Sequence, residues 1–178
     1  MKLIKPLGYI VLCLIFFSSC TVEQDGVVYY SNDQLSSNLP INIANTQGTR
    51  IAVNSISEIL LHEDPFLKEH AVYLKAIDIN SIKYKIKNFT NANSINLSNI
   101  EVFLDGNLIS PLMEVDLFKE SNNNVSFEIK NSDLFAAISS SLLNDKRLNI
   151  TYASDAVSTK SNSFEIEFSI QFKSTFVE

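Results

Sequence analysis

From Leu39 onward, apolar and polar residues alternate with a period of two, the pattern of strands that bury one face. "LPINI" sets Leu39, Ile41 and Ile43 on one side. "IKYKIK" turns Ile82, Tyr84 and Ile86 inward and Lys83, Lys85 and Lys87 outward. "IEVFL" places Ile100, Val102 and Leu104 inward, "VSFEI" does the same for Val125, Phe127 and Ile129, and "LNITY" for Leu148, Ile150 and Tyr152. In the longest run, "FEIEFSIQF", Phe164, Ile166, Phe168, Ile170 and Phe172 alternate with Glu165, Glu167, Ser169 and Gln171, which predicts an unbroken strand. Turn formers separate the runs. "DGN" at residues 105–107 supplies residues that tolerate positive φ and reads as a hairpin turn. "NFTNANS" and "SNNN" read as Asn-rich loops.

Two segments follow helical spacing instead. In "DPFLKEHAVYLKAI", Asp64 can cap and Pro65 fits the first helical position, with Phe66, His70, Tyr73 and Ile77 on one stripe and Leu67, Ala71 and Leu74 on another. In "SDLFAAISSSLLND", Ser132 can cap, Asp133 complements the positive helix end, and Leu134, Ile138 and Leu142 line one face beside Phe135. About seven mostly antiparallel strands with two short helices predict a mainly β fold, an antiparallel two-layer β-sandwich (immunoglobulin-like), without internal repeat or second domain.

The N-terminus follows neither pattern. Lys2 and Lys5 precede an apolar run over residues 7–17, too short for a bilayer-spanning helix and suited to the apolar region of a secretory signal peptide. Phe17-Ser18-Ser19-Cys20 then resembles the lipobox of bacterial lipoproteins, in which the cysteine sulfur receives a diacylglyceryl group and the signal is cut just before it. Phe17 departs from the commonest Leu. Cys13 competes poorly, because Leu12 before it is bulky; an ordinary signal peptide cut near Ser19, leaving Cys20 a free thiol, is the alternative. Two or three acyl chains supply the stable anchoring that one chain does not. By resemblance to enteric lipoproteins, Thr21 in place of Asp favours the outer membrane, and Glu23-Gln24-Asp25 is loosely similar to acidic surface-export tags of Bacteroidota lipoproteins. The expected organisation is a signal over residues 1–19, lipidated Cys20 and a flexible tether over residues 20–38, and the sandwich over residues 39–178. Within the tether, "VVYY" reads as a first strand or a loosely docked edge.

Cleavage before Cys20 would leave 159 of the 178 residues, enough for one proper core, and would take the formal net charge from −6 to −8. That charge argues against nucleic acid and against electrostatic adhesion to anionic lipid. With Cys13 removed and Cys20 acylated, the mature domain would hold no thiol, no disulfide and no cysteine-based metal site.

Candidate chemistry is sparse. "HEDPFLKEH" carries both histidines, but Phe66 occupies the position four residues after His62 that a metalloprotease motif requires. A two-His zinc site with Asp64 or Glu69 needs His62 and His70 to converge across the helix start at Pro65. Glu165 and Glu167 have the spacing of a glycosidase pair by strand geometry alone; they point in parallel, and a solvated face opposite Lys83, Lys85 and Lys87 is the simpler reading. The chain has no G-x-S-x-G and only four glycines. Triplets of the N-x-[ST] type at Asn88, Asn96, Asn124 and Asn149 are assigned no role. Sugar platforms favour exposed Trp and Tyr; the chain lacks Trp, and Tyr29 and Tyr30 form the one aromatic pair expected at the surface.

The order of "IDINSIKYKIKNFT", an Asn-rich loop, a hairpin, the "NSDLFAAI" helix, "LNITY" and a long final strand resembles small Bacteroidota outer-membrane lipoproteins with a β-sandwich domain and no assigned activity. The resemblance spans about residues 50–172 and carries over no functional residue. The expectation is a non-enzymatic, lipid-anchored envelope protein acting as a binding or structural accessory module; the alternative is a glycan-binding lipoprotein of a polysaccharide-uptake system. No catalytic residue, cofactor or metal site is assigned. The expected partners are the membrane, through lipid on Cys20, and a protein or glycan, with either face of the outer membrane open.

Overall fold

The computed structural model describes residues 26–91, 94–109 and 126–178. They form two four-stranded antiparallel sheets around one core. Sheet A has the order β1-β8-β3-β6, built from β1 (Val28–Ile43), β3 (Leu74–Lys87), β6 (Ser126–Ile129) and β8 (Asn162–Val177). Sheet B has the order β2-β7-β4-β5, built from β2 (Ile51–Leu60), β4 (Ile95–Leu104), β5 (Asn107–Leu108) and β7 (Arg147–Ser158). Among the described residues two helices complete the fold, α1 (Pro65–Glu69), preceded by a 3-10 turn at Leu61–Glu63, and α2 (Ser132–Asp145). The expected two-layer antiparallel β-sandwich is the fold.

The alternation read from sequence positions the core. On β8, Phe164, Ile166, Phe168, Ile170 and Phe172 are all buried, and Phe176 extends the same row. Leu39 and Ile41 of β1, Ile82 and Ile86 of β3, and Ile150 and Tyr152 of β7 meet them from both sheets. Burying one such side chain stabilises by about 1.5–3 kcal/mol, so this row dominates the inner face of sheet A. At the hairpin, Asp105 (φ 46°) and Gly106 (φ 75°) both take left-handed backbone, as a two-residue turn with the strand twist requires. The "SNNN" loop and Val125 lie outside the described residues.

The tether reading fails from residue 28 on. "VYYSNDQLSSN" is the first part of β1, which pairs with β8 without a break from Val28↔Val177 to Ile43↔Asn162. Its polar residues do not prevent this, because the outward positions of this edge strand face solvent and the inward Ser31 and Asp33 are hydrogen-bonded, Asp33 accepting from Ser31 and Ser174.

The first helix is also shorter than its spacing predicts. Asp64 does cap it, accepting from the Leu67 N–H at 3.0 Å, and Pro65 opens it, but it ends at Glu69. Leu74 and Ile77 belong to β3, paired with Phe176 and Ser174. Between Leu74 and Ala76 the register shifts, and that bulge lets both Leu74 and Ile77 reach the core. Ladder pairing along the otherwise open side of β8 outweighs the helical pattern. For α2 the buried stripe Leu134, Ile138 and Leu142 is as expected, but the cap is Asn131 rather than Ser132: its Oδ1 accepts from the N–H groups of Asp133 and Leu134, both at 3.1 Å.

β2 carries its polarity partly reversed. Ile56 is exposed, whereas Ser55 and Ser57 turn toward β1 and donate to the carbonyls of Pro40 (2.5 Å) and Asn38 (3.1 Å). Ser37 returns a bond to the Glu58 carbonyl at 3.1 Å. These hydroxyls fasten the β1 edge of one sheet to the β2 edge of the other. β1 runs on beyond that seam toward Val28, and the overhanging end of sheet A is covered by α1, whose Leu67 is fully buried and whose Phe66 meets Phe176 edge to face at 5.5 Å.

Candidate functional site

The expected lipid attachment site, Cys20, lies outside the described residues, as do the signal segment and the acidic positions Glu23 and Asp25.

The two histidines are held by different devices. His62 is exposed in the 3-10 turn. His70 ends α1, with Nδ1 2.9 Å from the Phe66 carbonyl and its ring stacked on Phe66 at 4.3 Å between centroids. Tyr29 and Phe176 meet the His70 ring edge-on at 6.1 and 6.2 Å. Aromatic faces, not a second imidazole, therefore surround His70. Among the described residues no group of three His, Cys, Asp or Glu side chains could hold a metal ion.

Glu165 and Glu167 do stand on the outer face of sheet A, opposite the lysine row. Glu167 pairs with Lys87 at 2.7 Å, and Glu165 accepts from the Asn88 side-chain amide at 3.3 Å. Register places Lys85 beside Glu167 and Lys87 beside Glu165, so the 2.7 Å pair is a diagonal one. Both carboxylates are engaged along one strand face, without the facing arrangement that places an acid and a nucleophile on either side of a scissile bond.

Tyr29 and Tyr30 do not form a platform. Adjacent residues on a strand point to opposite faces. Tyr29 turns inward and stacks on Phe176, while Tyr30 turns outward beneath the Lys173 ammonium, 3.9 Å from the ring centre. Burial and then the Glu178 carboxylate push the Tyr29 hydroxyl above its ordinary range.

The outer face of sheet A also carries a trough of about 390 Å³. Three cross-strand rows build it. Ser36, Ser169 and Lys83 lie side by side in the middle row, where the two serines are short. Gln34, Gln171 and Ser81 form the row on one side, and Asn38, Glu167 and Lys85 the row on the other. The glutamine row is fixed by a relay: Ser81 donates to Gln171 Oε1 at 3.2 Å, and Gln171 Nε2 donates to Gln34 Oε1 at 3.1 Å. Among the described residues neither Lys83 nor Lys85 has an ion-pair partner. The trough thus presents oriented amides, hydroxyls and two ammonium groups, which suits a polar ligand that accepts hydrogen bonds. Beneath it, Tyr84 faces the core and stacks on Phe127 at 5.0 Å; burial pushes its hydroxyl up.

A second polar hollow, of about 450 Å³, lies where the β4–β5 turn meets the end of α2, lined by Asp105, Ser141, Asp145, Arg147 and Asn149. Asp105 Oδ1 is already occupied there, accepting from Asn149 N at 2.8 Å and Nδ2 at 3.1 Å.

Sequence reading missed the β1 half of the trough. Gln34 and Ser36 lie in the stretch read as tether, where, among the described residues, Leu35 is the one buried residue to mark the phase of the strand. Compared with protein-family models and with curated protein sequences, the chain matches none.

Proposed function

We propose that the mature chain is a lipid-anchored envelope protein without catalytic activity, held to the outer membrane through acylated Cys20, with the sandwich serving as a binding or structural accessory module. The observation that carries this reading is how soon the fold starts after the lipobox-like segment. Val27 donates to the Glu178 carbonyl at 3.0 Å and accepts from the Glu178 N–H at 3.1 Å, so residue 27 is already in the folded domain. The seven-residue span from Cys20 to Val27 reaches at most ~25 Å. A domain joined this closely to an acylated residue works at the bilayer surface.

Replacing Cys20→Ala and fractionating cells tests the anchor. The variant is expected to leave the membrane fraction, and the wild type to carry acyl mass on its N-terminal residue. A variant that still pellets with membrane, together with an unacylated wild type, sinks the reading.

The trough favours a second reading, glycan capture, because its amides and hydroxyls are oriented for hydrogen bonding to a hydroxyl-rich ligand. A glycan array separates the two. Binding to one glycan class, lost in Gln171→Ala, would replace the plain accessory role by glycan capture.

A further inference from the structure

The overhanging end of sheet A leaves large apolar side chains in solvent on every side of its tip. Val27 is 67% exposed, Val28 51%, Tyr30 61% and Val72 77%. Phe66 and Tyr73 are each 38% exposed. They come from three parts of the chain that the ladder brings together: Val28 pairs with Val177, Val177 donates to the Tyr73 carbonyl at 2.9 Å, and Phe66 packs on Phe176. Isolated exposed apolar residues are ordinary, but a contiguous set at one tip marks a contact surface.

The geometry points to this tip as a membrane-docking surface that seats the domain end-on in the interface of a zwitterionic bilayer. The inference rests on the anchor at Cys20 and adds the orientation of the domain. Three observations support a bilayer as the occupant. The patch begins at Val27, where the short span from Cys20 enters the fold, so an acylated Cys20 keeps the patch nearer the lipid than the opposite end of the sandwich. A span that reaches at most ~25 Å raises the effective concentration of the surface at the bilayer to the millimolar range. Weak apolar contacts then suffice. Second, the composition is that of an interface: Tyr30 and Tyr73 have an apolar ring and a polar tip, and the Lys173 ammonium lies over the Tyr30 ring. Third, the charges around the tip nearly cancel, Glu69 and Glu178 against Lys68, Lys75 and Lys173, so the contact is apolar rather than an attraction to anionic lipid.

The opposite end supplies the control. Thr49 lies in the exposed turn after β1, about 50 Å from Val28 along the strand. Because the acylated mature chain would have no other thiol, Val72→Cys and Thr49→Cys each give one labelling site for a polarity-sensitive fluorophore. The acylated full-length variants would be placed in phosphatidylcholine vesicles, and flotation scored first. Bilayer-borne nitroxide lipid is expected to quench the label at 72 several-fold more than the label at 49, and aqueous iodide to do the reverse. Failure to float overturns the anchor and the orientation with it. Flotation with equal quenching at both positions overturns the orientation alone. Protection from iodide at 72 without quenching by nitroxide lipid would mean that a second copy covers the tip, and would also overturn it.

Discussion

Tyr29 lies flat on Phe176, with ring centroids 4.9 Å apart and planes within 8° of parallel. One ring belongs to the first strand and the other to the last, and neither stands in a run that alternation from Leu39 onward would include. The stack holds the overhang together. Phe176→Ala is expected to lower unfolding free energy by about 3–5 kcal/mol, because it empties a fully buried aromatic site beneath α1. Urea denaturation measures it; a loss below about 1 kcal/mol would mean the overhang frays freely.

Limited proteolysis bears on the same region. With residues 28–43 in a ladder rather than a tether, no early cut is expected between Tyr29 and Ile43. Mass spectrometry of the first fragments reads this directly.

Asp33 points to the inner side of the edge strand and accepts from Ser174 at 2.6 Å and Ser31 at 2.7 Å. Ser174 is completely buried. Removing its hydroxyl leaves a part-buried carboxylate one donor short, so Ser174→Ala is expected to cost about 1–3 kcal/mol. Adding Asp33→Asn to that variant should cost less than the two single changes together, which a double-mutant cycle on thermal stability would measure.

Asn131, not Ser132, satisfies the first N–H groups of α2. Asn131→Ala is expected to cost about 0.5–2 kcal/mol, and Ser132→Ala to change stability by less than about 0.5 kcal/mol. Equal effects in a denaturation series would return the cap to Ser132.

Tyr152 is fully buried between the sheets, and burial pushes its hydroxyl up to about 12, partly offset by the nearby Ser154 hydroxyl. Among the described residues neither oxygen has a hydrogen-bond partner of good geometry. An unfolded tyrosine titrates near ~10. Because the folded value is the higher one, this contribution is fully present below pH ~10 and is lost as pH rises toward 12, by on the order of 3 kcal/mol in all. Tyr84 shifts in the same direction. Tyr152→Phe is therefore expected to flatten part, not all, of the alkaline loss, and to leave stability at neutral pH unchanged or slightly higher.

Legibility in the sequence followed burial. Where a strand buries a full apolar face, as β8 does with Phe164 to Phe172, alternation named the inward residues. β2 escaped notice because Ser55 and Ser57 point toward β1 while Ile56 points to water. "VVYY" is open to a strand reading, but its continuation from Ser31 to Asn38 escaped notice because its inward row includes Ser31 and Asp33, satisfied by hydroxyl partners that no periodicity announces. The helical spacing after Pro65 misled because Leu74 and Ile77 serve a bulged strand as well as a helical stripe. The trough needed three strands in register, and two of its walls are ordinary polar residues on a solvated face.

The place of β8 has a consequence for folding during synthesis. It bonds to both β1 and β3, so sheet A pairs residue 28 with residue 177. Such distant pairing is slow to form, and no earlier strand can stand in for β8. A chain made from its N-terminus has β1 and β3 complete before the strand that joins them is synthesised. Sheet A therefore closes only after the β8 residues are free, and its two early strands wait unjoined until then.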